Sequence, residues 1–282
     1  LTVGGNFTLN NALPVTNFSG GTSTVTFNGT GPQAITRTGG GTLTFNNMTV
    51  NKPSSTLTLA NTAPNGTTLS VPGTLTLTSG AFAIGGSIIV SNTLALGGTV
   101  SGTGTITGSS FSDMSITGTG ALGTLNFTTG SGQTLRRLSV NRTGTSPTVT
   151  LGTELSVGGS TAADTLSLTS GIIQTGPNVL TLANQNQFGH GSPSAFVDGI
   201  LRMTYPAATI ARFFPIAGDG IYRPVSVSGT ATAGTQVTVR MINTAPPGTP
   251  GAGLNNLSGV RYYQIERSGT LGGTPRVQLS IN

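Results

Sequence analysis

The sequence predicts an all-β fold: a three-sided β-solenoid (β-helix) followed by a C-terminal antiparallel β-sandwich-like module. Three observations lead to this prediction. Large apolar residues recur at every sixth or seventh position between Leu69 and Ile106, a long segment is duplicated, and residue usage changes after His190. We therefore expect a solenoid repeat domain over residues 1–190 and the second module over residues 191–282.

The apolar spacing fits a solenoid because one inward residue per face recurs about every 6 residues, and one coil then takes about 18. Short apolar, polar, apolar triplets such as 75–77 let the outer two side chains enter the core while the middle one faces water. At that coil length, the repeat domain holds roughly ten coils. The regularly spaced residues are Leu69, Leu75, Phe82, Ile88, Leu94, Val100 and Ile106.

Glycine pairs lie between the triplets, at 4–5, 85–86, 97–98 and 158–159. We expect them at solenoid corners, where the backbone needs angles that other residues resist. The functional alternative is a phosphate cradle, but no Gly-x-x-x-x-Gly-Lys pattern follows any of the pairs.

A longer repeat overlies the short spacing. The segment Met48-Thr-Val-Asn-Lys, followed by Leu75-Thr-Leu-Thr-Ser-Gly, matches Leu138-Ser-Val-Asn-Arg, followed by Leu166-Ser-Leu-Thr-Ser-Gly. The phrases that start at Leu43 and Leu75 resemble the Thr- and Gly-rich β-strand repeats of secreted surface proteins of the Bacteroidota, including adhesin-like substrates of the type 9 secretion system. The resemblance covers about residues 1–185 and implies an exported β-solenoid, although the family's C-terminal sorting domain is not recognisable.

The last third of the chain differs from the rest in its composition and in the length of its expected strands. It holds seven of the twelve basic residues and all four tyrosines, and its expected strands lengthen to 199–205, 222–227, 236–242, 261–266 and 276–281. This pattern is typical of an antiparallel sandwich. Phrases such as Phe213-Phe-Pro-Ile-Ala-Gly resemble the module that often follows such repeats in the same surface proteins. The module is expected to cap the solenoid, or to form an interface through Tyr222, Arg223, Tyr262 and Tyr263.

Composition limits the function classes. Only 6% of the residues are charged, against roughly 25% in a typical soluble domain. The net charge of +6 is a weak sign of nucleic-acid binding, because residues 53–112 carry no charge and duplex binding needs clustered phosphate contacts. Arg136, Arg137 and Arg142 are expected on a solvated coil edge. The absence of cysteine excludes disulfides and thiolate metal sites, and no apolar run is long enough for a transmembrane segment.

No residue is assigned to catalysis, to a cofactor or to a metal. His190 is the one histidine, and the six acids are scattered. Glu154 and Asp164 lie about one small coil apart, and this pair keeps open the alternative of a β-helix that binds or cleaves polysaccharide. A pair without a third acid is a poor calcium site, and no matched acid and base environment is evident. We therefore expect a protein without enzymatic activity.

Three functions are weighed. The expectation is an extracellular structural or adhesive protein of the cell surface that contacts polysaccharide or its own copies. Because Leu1-Thr-Val already reads as a coil strand, the chain is expected to be a fragment or to join end to end into a filament. Ice binding is the first alternative, because Thr-x-Thr units put two hydroxyls outward. Irregular spacings argue against one shared face for these units, which begin at Thr24, Thr42, Thr56, Thr74, Thr105 and Thr148.

The secreted location follows from the composition and from the resemblance. A single lysine and abundant Thr, Asn and Gly are typical of an exported protein. Asp164-Thr-Leu resembles the short O-glycosylation motif of the Bacteroidota, which makes Thr165 a candidate modification site.

Overall fold

A computed structural model shows a nearly all-β chain that forms a solenoid of about seven turns with antiparallel strands at its C-terminal end. It describes residues 1–10, 18–19, 21–60, 65–87, 90–158, 166–183, 191–250 and 257–280. The strands up to residue 116 are β1 Thr2–Val3, β2 Phe7–Leu9, β3 Phe18–Ser19, β4 Thr24–Phe27, β5 Gln33–Arg37, β6 Gly41–Thr44, β7 Asn47–Leu59, β8 Thr67–Val71, β9 Thr74–Ile84, β10 Gly86–Ser87, β11 Val90–Leu96, β12 Thr99–Gly102, β13 Thr105–Thr107 and β14 Ser109–Ile116.

The remaining strands include the longest of the chain. One turn of 3-10 helix, Gly130–Gln133, precedes β16. These strands are β15 Thr124–Leu125, β16 Thr134–Asn141, β17 Thr148–Leu151, β18 Leu155–Val157, β19 Leu166–Leu182, β20 Ala195–Tyr205, β21 Thr209–Phe214, β22 Ile216–Gly218, β23 Ile221–Tyr222, β24 Val225–Ala231, β25 Thr235–Ile242, β26 Tyr262–Ser268 and β27 Leu271–Leu279.

Parallel pairing between successive turns builds three faces. Face 1 contains β1, β4, the first parts of β7 and β9, and β12, and it continues through β15, β17 and the middle of β19. Face 2 contains β2, β5, the last parts of β7 and β9, and β13, and later β18 and the end of β19. Face 3 contains β3, β6, β8, β11, β14, β16 and the start of β19.

The turns are longer than the sequence spacing predicts. Leu69 on face 3 pairs with Leu94 on the next turn, so one turn takes about 25 residues rather than about 18, and about seven turns replace the expected ten. Leu75 and Phe82 lie on faces 1 and 2, so those two steps have the expected length. The step from face 2 back to face 3 is twice as long, and Ile88, which was assigned a face of its own, lies outside the described residues.

The core confirms the triplet interpretation. In β11 the outer residues Leu94 and Leu96 are buried while Ala95 between them is half-buried, as alternation across a strand requires. The rings of Phe27 and Phe45 lie 6.0 Å apart inside the first turns. A continuous apolar column therefore fills the solenoid, and each strand is stabilised by the turns above and below it.

The pairs at 4–5 and 97–98 lie at corners as predicted, whereas Gly86 lies in β10 and Gly159 is outside the described residues. Residues 97–98 join β11 on face 3 to β12 on face 1. A Cβ on Gly98 would come within 1.9 Å of the carbonyl oxygen of Gly73 in the preceding turn, so only glycine permits this close stacking.

The duplicated segments occupy different faces. Met48 pairs with Val25 and Leu75 on face 1, whereas its counterpart Leu138 pairs with Met114 on face 3. Leu57 on face 2 likewise corresponds to Val149 on face 1. The offset between the two copies is therefore a whole number of faces but not a whole number of turns. As a result, the second copy is rotated by one face about the solenoid axis.

The C-terminal strands grow directly out of the last turn. β20 pairs in parallel with β19 and antiparallel with β25, which in turn pairs with β26. A separate antiparallel sheet, in the order β21, β24, β27, packs against this extension, and the buried Tyr205 hydroxyl donates a hydrogen bond across to Val227 O at 2.9 Å. The expected strand at 199–205 thus belongs to both the solenoid and the module, and the boundary at residue 190 stays a prediction.

Candidate functional site

Face 1 carries two rows of polar side chains that point outward, which we call the hydroxyl face. One row contains side chains that match from turn to turn: Thr2, Thr26, Thr49, Thr76 and Ser101. The second row lies two residues earlier on each strand: Thr24, Asn47, Thr74 and Thr99. The rows follow the strand repeat of about 4.8 Å along the solenoid and stand roughly 7 Å apart across it.

The hydroxyl face is organised by its own hydrogen bonds. The hydroxyls of Thr74 and Thr99 lie 3.1 Å apart, and Ser101 donates to Thr76 at 3.4 Å. Asn47 accepts a hydrogen bond from the Thr74 backbone N–H at 2.9 Å, which fixes its place in the second row. The rows therefore form a regular array that contains no charged side chain.

The predicted Thr-x-Thr units lie on more than one face, as their spacing indicated. The units that begin at Thr24, Thr74 and Thr148 lie on face 1, those at Thr56 and Thr105 on face 2, and the one at Thr42 on face 3. Sequence reasoning missed the units that complete face 1, because Asn47-Met-Thr and Thr99-Val-Ser do not match the Thr-x-Thr pattern.

Two cations, Lys52 and Arg142, lie fully buried at solenoid corners, and neither was expected to have a structural role. The Lys52 ammonium donates to Gly31 O at 2.5 Å, to Gln33 Oε1 at 2.8 Å and to Gly29 O, all at the corner of the preceding turn. Gln33 in turn donates through Nε2 to Val3 O at 2.9 Å. Burial lowers the pKa of Lys52. This network ties three successive turns together.

We expected Arg136, Arg137 and Arg142 on a solvated coil edge, and this expectation is wrong for Arg142. Its side chain is fully buried, and its three nitrogens donate to Gly120 O at 2.8 Å, Thr117 O at 2.5 Å and Thr119 O at 2.6 Å. Desolvation lowers the pKa of this guanidinium. Arg142 ends the phrase Val-Asn-Arg in the second repeat, just as Lys52 ends Val-Asn-Lys in the first. This match in the sequence could have indicated that the two cations have the same role at a corner.

The four interface residues predicted from the sequence lie close together on the module. Together with Arg261 and Ser280, we call them the tyrosine–arginine patch. Tyr222 and Arg223 line a groove of about 470 Å³ with Ser280, and Tyr262, Tyr263 and Arg261 line a neighbouring groove of about 420 Å³ that also reaches Ser280.

Part of the patch packs against the rest of the protein. The Tyr222 ring lies 5.7 Å from Phe196 of the last turn, and the Tyr263 hydroxyl donates to Ser280 O at 3.1 Å. Burial raises the pKa of both tyrosines, and Arg261 and Arg223 partly oppose that rise at Tyr263. Both guanidinium groups therefore lie near one tyrosine hydroxyl.

A separate groove of about 740 Å³ between the last turn and β25 has the opposite character. It is lined by Asp198, Asp219 and Arg240 among mainly uncharged residues. Asp198 accepts a hydrogen bond from the Gly220 backbone N–H at 2.9 Å. Burial raises the pKa of Asp198, and the neighbouring Asp219 adds to that rise.

The other residues singled out from the sequence do not form a site in the described part of the chain. Glu154 is exposed, while Asp164, Thr165 and His190 lie outside the described residues. Asp113 is paired with Arg136 at 2.5 Å. Within the described ranges, no three His, Cys, Asp or Glu side chains group closely enough to hold a metal ion.

Comparisons with known proteins add no relative. No protein-family model, curated protein or solved structure matches the chain. Among the described residues, no helix is long and apolar enough to span a membrane.

Proposed function

We propose that the chain is an extracellular structural or adhesive surface protein that presents the hydroxyl face to a neutral, hydroxyl-rich material such as an insoluble polysaccharide. The observation that carries the proposal is the charge-free, two-row array of face 1. The proposed activity needs no catalytic residue, because it consists of many weak hydrogen bonds made in register.

The rigidity of the solenoid supports this proposal. Each strand of face 1 is hydrogen-bonded to neighbouring turns, and its inward residues are buried. A surface that is already ordered loses little conformational freedom on binding, so weak contacts add up to useful affinity. Because the array is uncharged, its attraction to a neutral polymer should depend little on salt.

The test is a pull-down with insoluble neutral polysaccharides, comparing the native chain with the double variant Thr49→Lys, Thr76→Lys. Two charges placed in the array must be desolvated on binding, so we expect binding to fall about tenfold or more. The matched control is Thr44→Lys, Ser70→Lys, which changes paired outward residues of face 3 and should leave binding unchanged. Equal loss in both variants, or strong salt dependence of the native chain, would count against the hydroxyl face.

Ice binding is the second candidate, favoured by the same array. Two regular rows of side chains, all hydroxyls except the amide of Asn47 and backed by buried apolar residues, can hold surface water in a repeating arrangement. If the chain binds ice, the native protein will show thermal hysteresis and shape ice crystals, and both effects will disappear in Thr49→Lys. The face 3 variants serve again as controls. Absence of both effects in the native chain rejects this candidate and leaves the polysaccharide proposal standing.

Secretion, the Bacteroidota resemblance and end-to-end assembly remain predictions. They fit the proposed surface role, because a solenoid with an uncharged face and a polar module suits presentation outside the cell.

A further inference from the structure

The tyrosine–arginine patch contains hydrogen-bonding groups that the described residues leave without partners. Arg223 donates through Nη1 to Tyr222 O at 2.8 Å, and its Nη2 makes no hydrogen bond among the described residues, while its Nε is buried without a partner there. A guanidinium carries five N–H donors in a planar fork. The side chain of Arg261, in the adjoining groove, makes no hydrogen bond within the described ranges.

The patch is also strongly one-sided in charge. The two grooves that meet at Ser280 are lined by two arginines and three tyrosines, with no acidic side chain among the described lining residues. The acidic groove at Asp198 and Asp219 is a separate depression. An anionic ligand therefore has a clear preference between these two surfaces.

We propose that the tyrosine–arginine patch binds an acidic polysaccharide of the uronate type. The inference rests on the proposed surface function and names the ligand class of a second, charged site. Carboxylates pair with guanidinium groups through two parallel hydrogen bonds, and Arg is the residue best suited to such pairing.

The tyrosines favour a sugar over an acidic peptide. A uronate unit has both an apolar ring face, which packs on an aromatic ring, and a carboxylate for the neighbouring cation. Two open, adjoining grooves with one cation each suit successive units of a chain. An acidic peptide has the charge but lacks the apolar ring face.

The test measures binding of polygalacturonate to the full chain, with neutral dextran as the control ligand. The double variant Arg223→Met, Arg261→Met should bind polygalacturonate about ten- to a hundredfold more weakly, because charge-assisted hydrogen bonds are lost. Arg276→Met, which removes an exposed cation of β27 outside both grooves, should have little effect. Binding by the native chain should weaken as salt rises, since it depends on charge.

Three results would overturn the proposal: equal binding by the native chain and the double variant, dextran binding as strong as polygalacturonate binding, or stronger binding of poly-glutamate than of polygalacturonate. If Arg223→Met does not fold, Arg261→Met alone decides the question. Failure here is distinguishable from failure of the proposed function, because the hydroxyl face is tested separately by salt-independent binding to neutral insoluble polysaccharide and by Thr49→Lys.

Discussion

The substitution Lys52→Met is expected to destabilise the solenoid by about 2–4 kcal/mol, because hydrogen bonds to a charged donor are lost. The ammonium is fully buried and donates to two carbonyl oxygens and to Gln33 Oε1 of the preceding turn. Methionine fills similar space but donates nothing, so Gln33 Oε1 loses a charged partner in a buried position and the two carbonyl oxygens lose theirs at a part-buried corner. Urea unfolding measures the loss as a lower midpoint.

The matched control for Lys52→Met is Arg276→Met, which removes an exposed cation and should change stability by no more than about 0.5 kcal/mol. Hydrogen exchange adds a local readout, because amides in residues 29–33 should lose protection before those of the distant module. An unchanged midpoint with unchanged protection would show that the corner is satisfied without Lys52.

A double-mutant cycle that combines Lys52→Met with Gln33→Leu measures how strongly the two side chains depend on each other. Gln33 accepts from Lys52 and donates to Val3 O, so the two side chains share partners. Their effects on the free energy of unfolding should therefore not add.

The sequence predicted the solenoid because its core pattern is local. The outward and inward alternation of a triplet such as 75–77 requires only neighbouring residues to be read, and the structure confirms it. The turn length required knowledge of the corners, whose residue number is not encoded in apolar spacing. The spacing of the shorter steps therefore did not predict the long step from Phe82 on face 2 to Leu94 on face 3.

The candidate surfaces depend on register, which explains why they were only partly predictable. The hydroxyl face joins Thr26, Thr49 and Thr76, residues of three different turns whose alignment follows from turns of unequal length. The tyrosine–arginine patch was predicted as residue types, but the nearness of Arg223 to Tyr263 follows from the packing of β23 and β26 around Ser280.

Arg142 occupies the position in the second repeat that Lys52 occupies in the first, although the two lie at different corners. The duplication rotates the second copy by one face, so Lys52 follows a face 1 strand and Arg142 follows a face 3 strand. Each cation donates to the corner of the preceding turn. The role of the buried cation therefore depends on its place in the repeat and not on a particular face.

Arg142→Met is accordingly expected to cost about 2–4 kcal/mol, as measured by urea unfolding. Three carbonyl oxygens, those of Thr117, Thr119 and Gly120, would each lose the donor that the buried Arg142 side chain supplies at this part-buried corner. Arg142→Lys should lose less, because it keeps the charge, yet a single ammonium cannot reproduce the planar fork that serves three separate carbonyls. Arg240→Met is the control, since the Arg240 side chain makes no hydrogen bond or ion pair within the described ranges and should tolerate removal. An Arg142→Met variant as stable as the native chain would mean that the corner carbonyls find other donors, and the shared role of the two cations would then have to be abandoned.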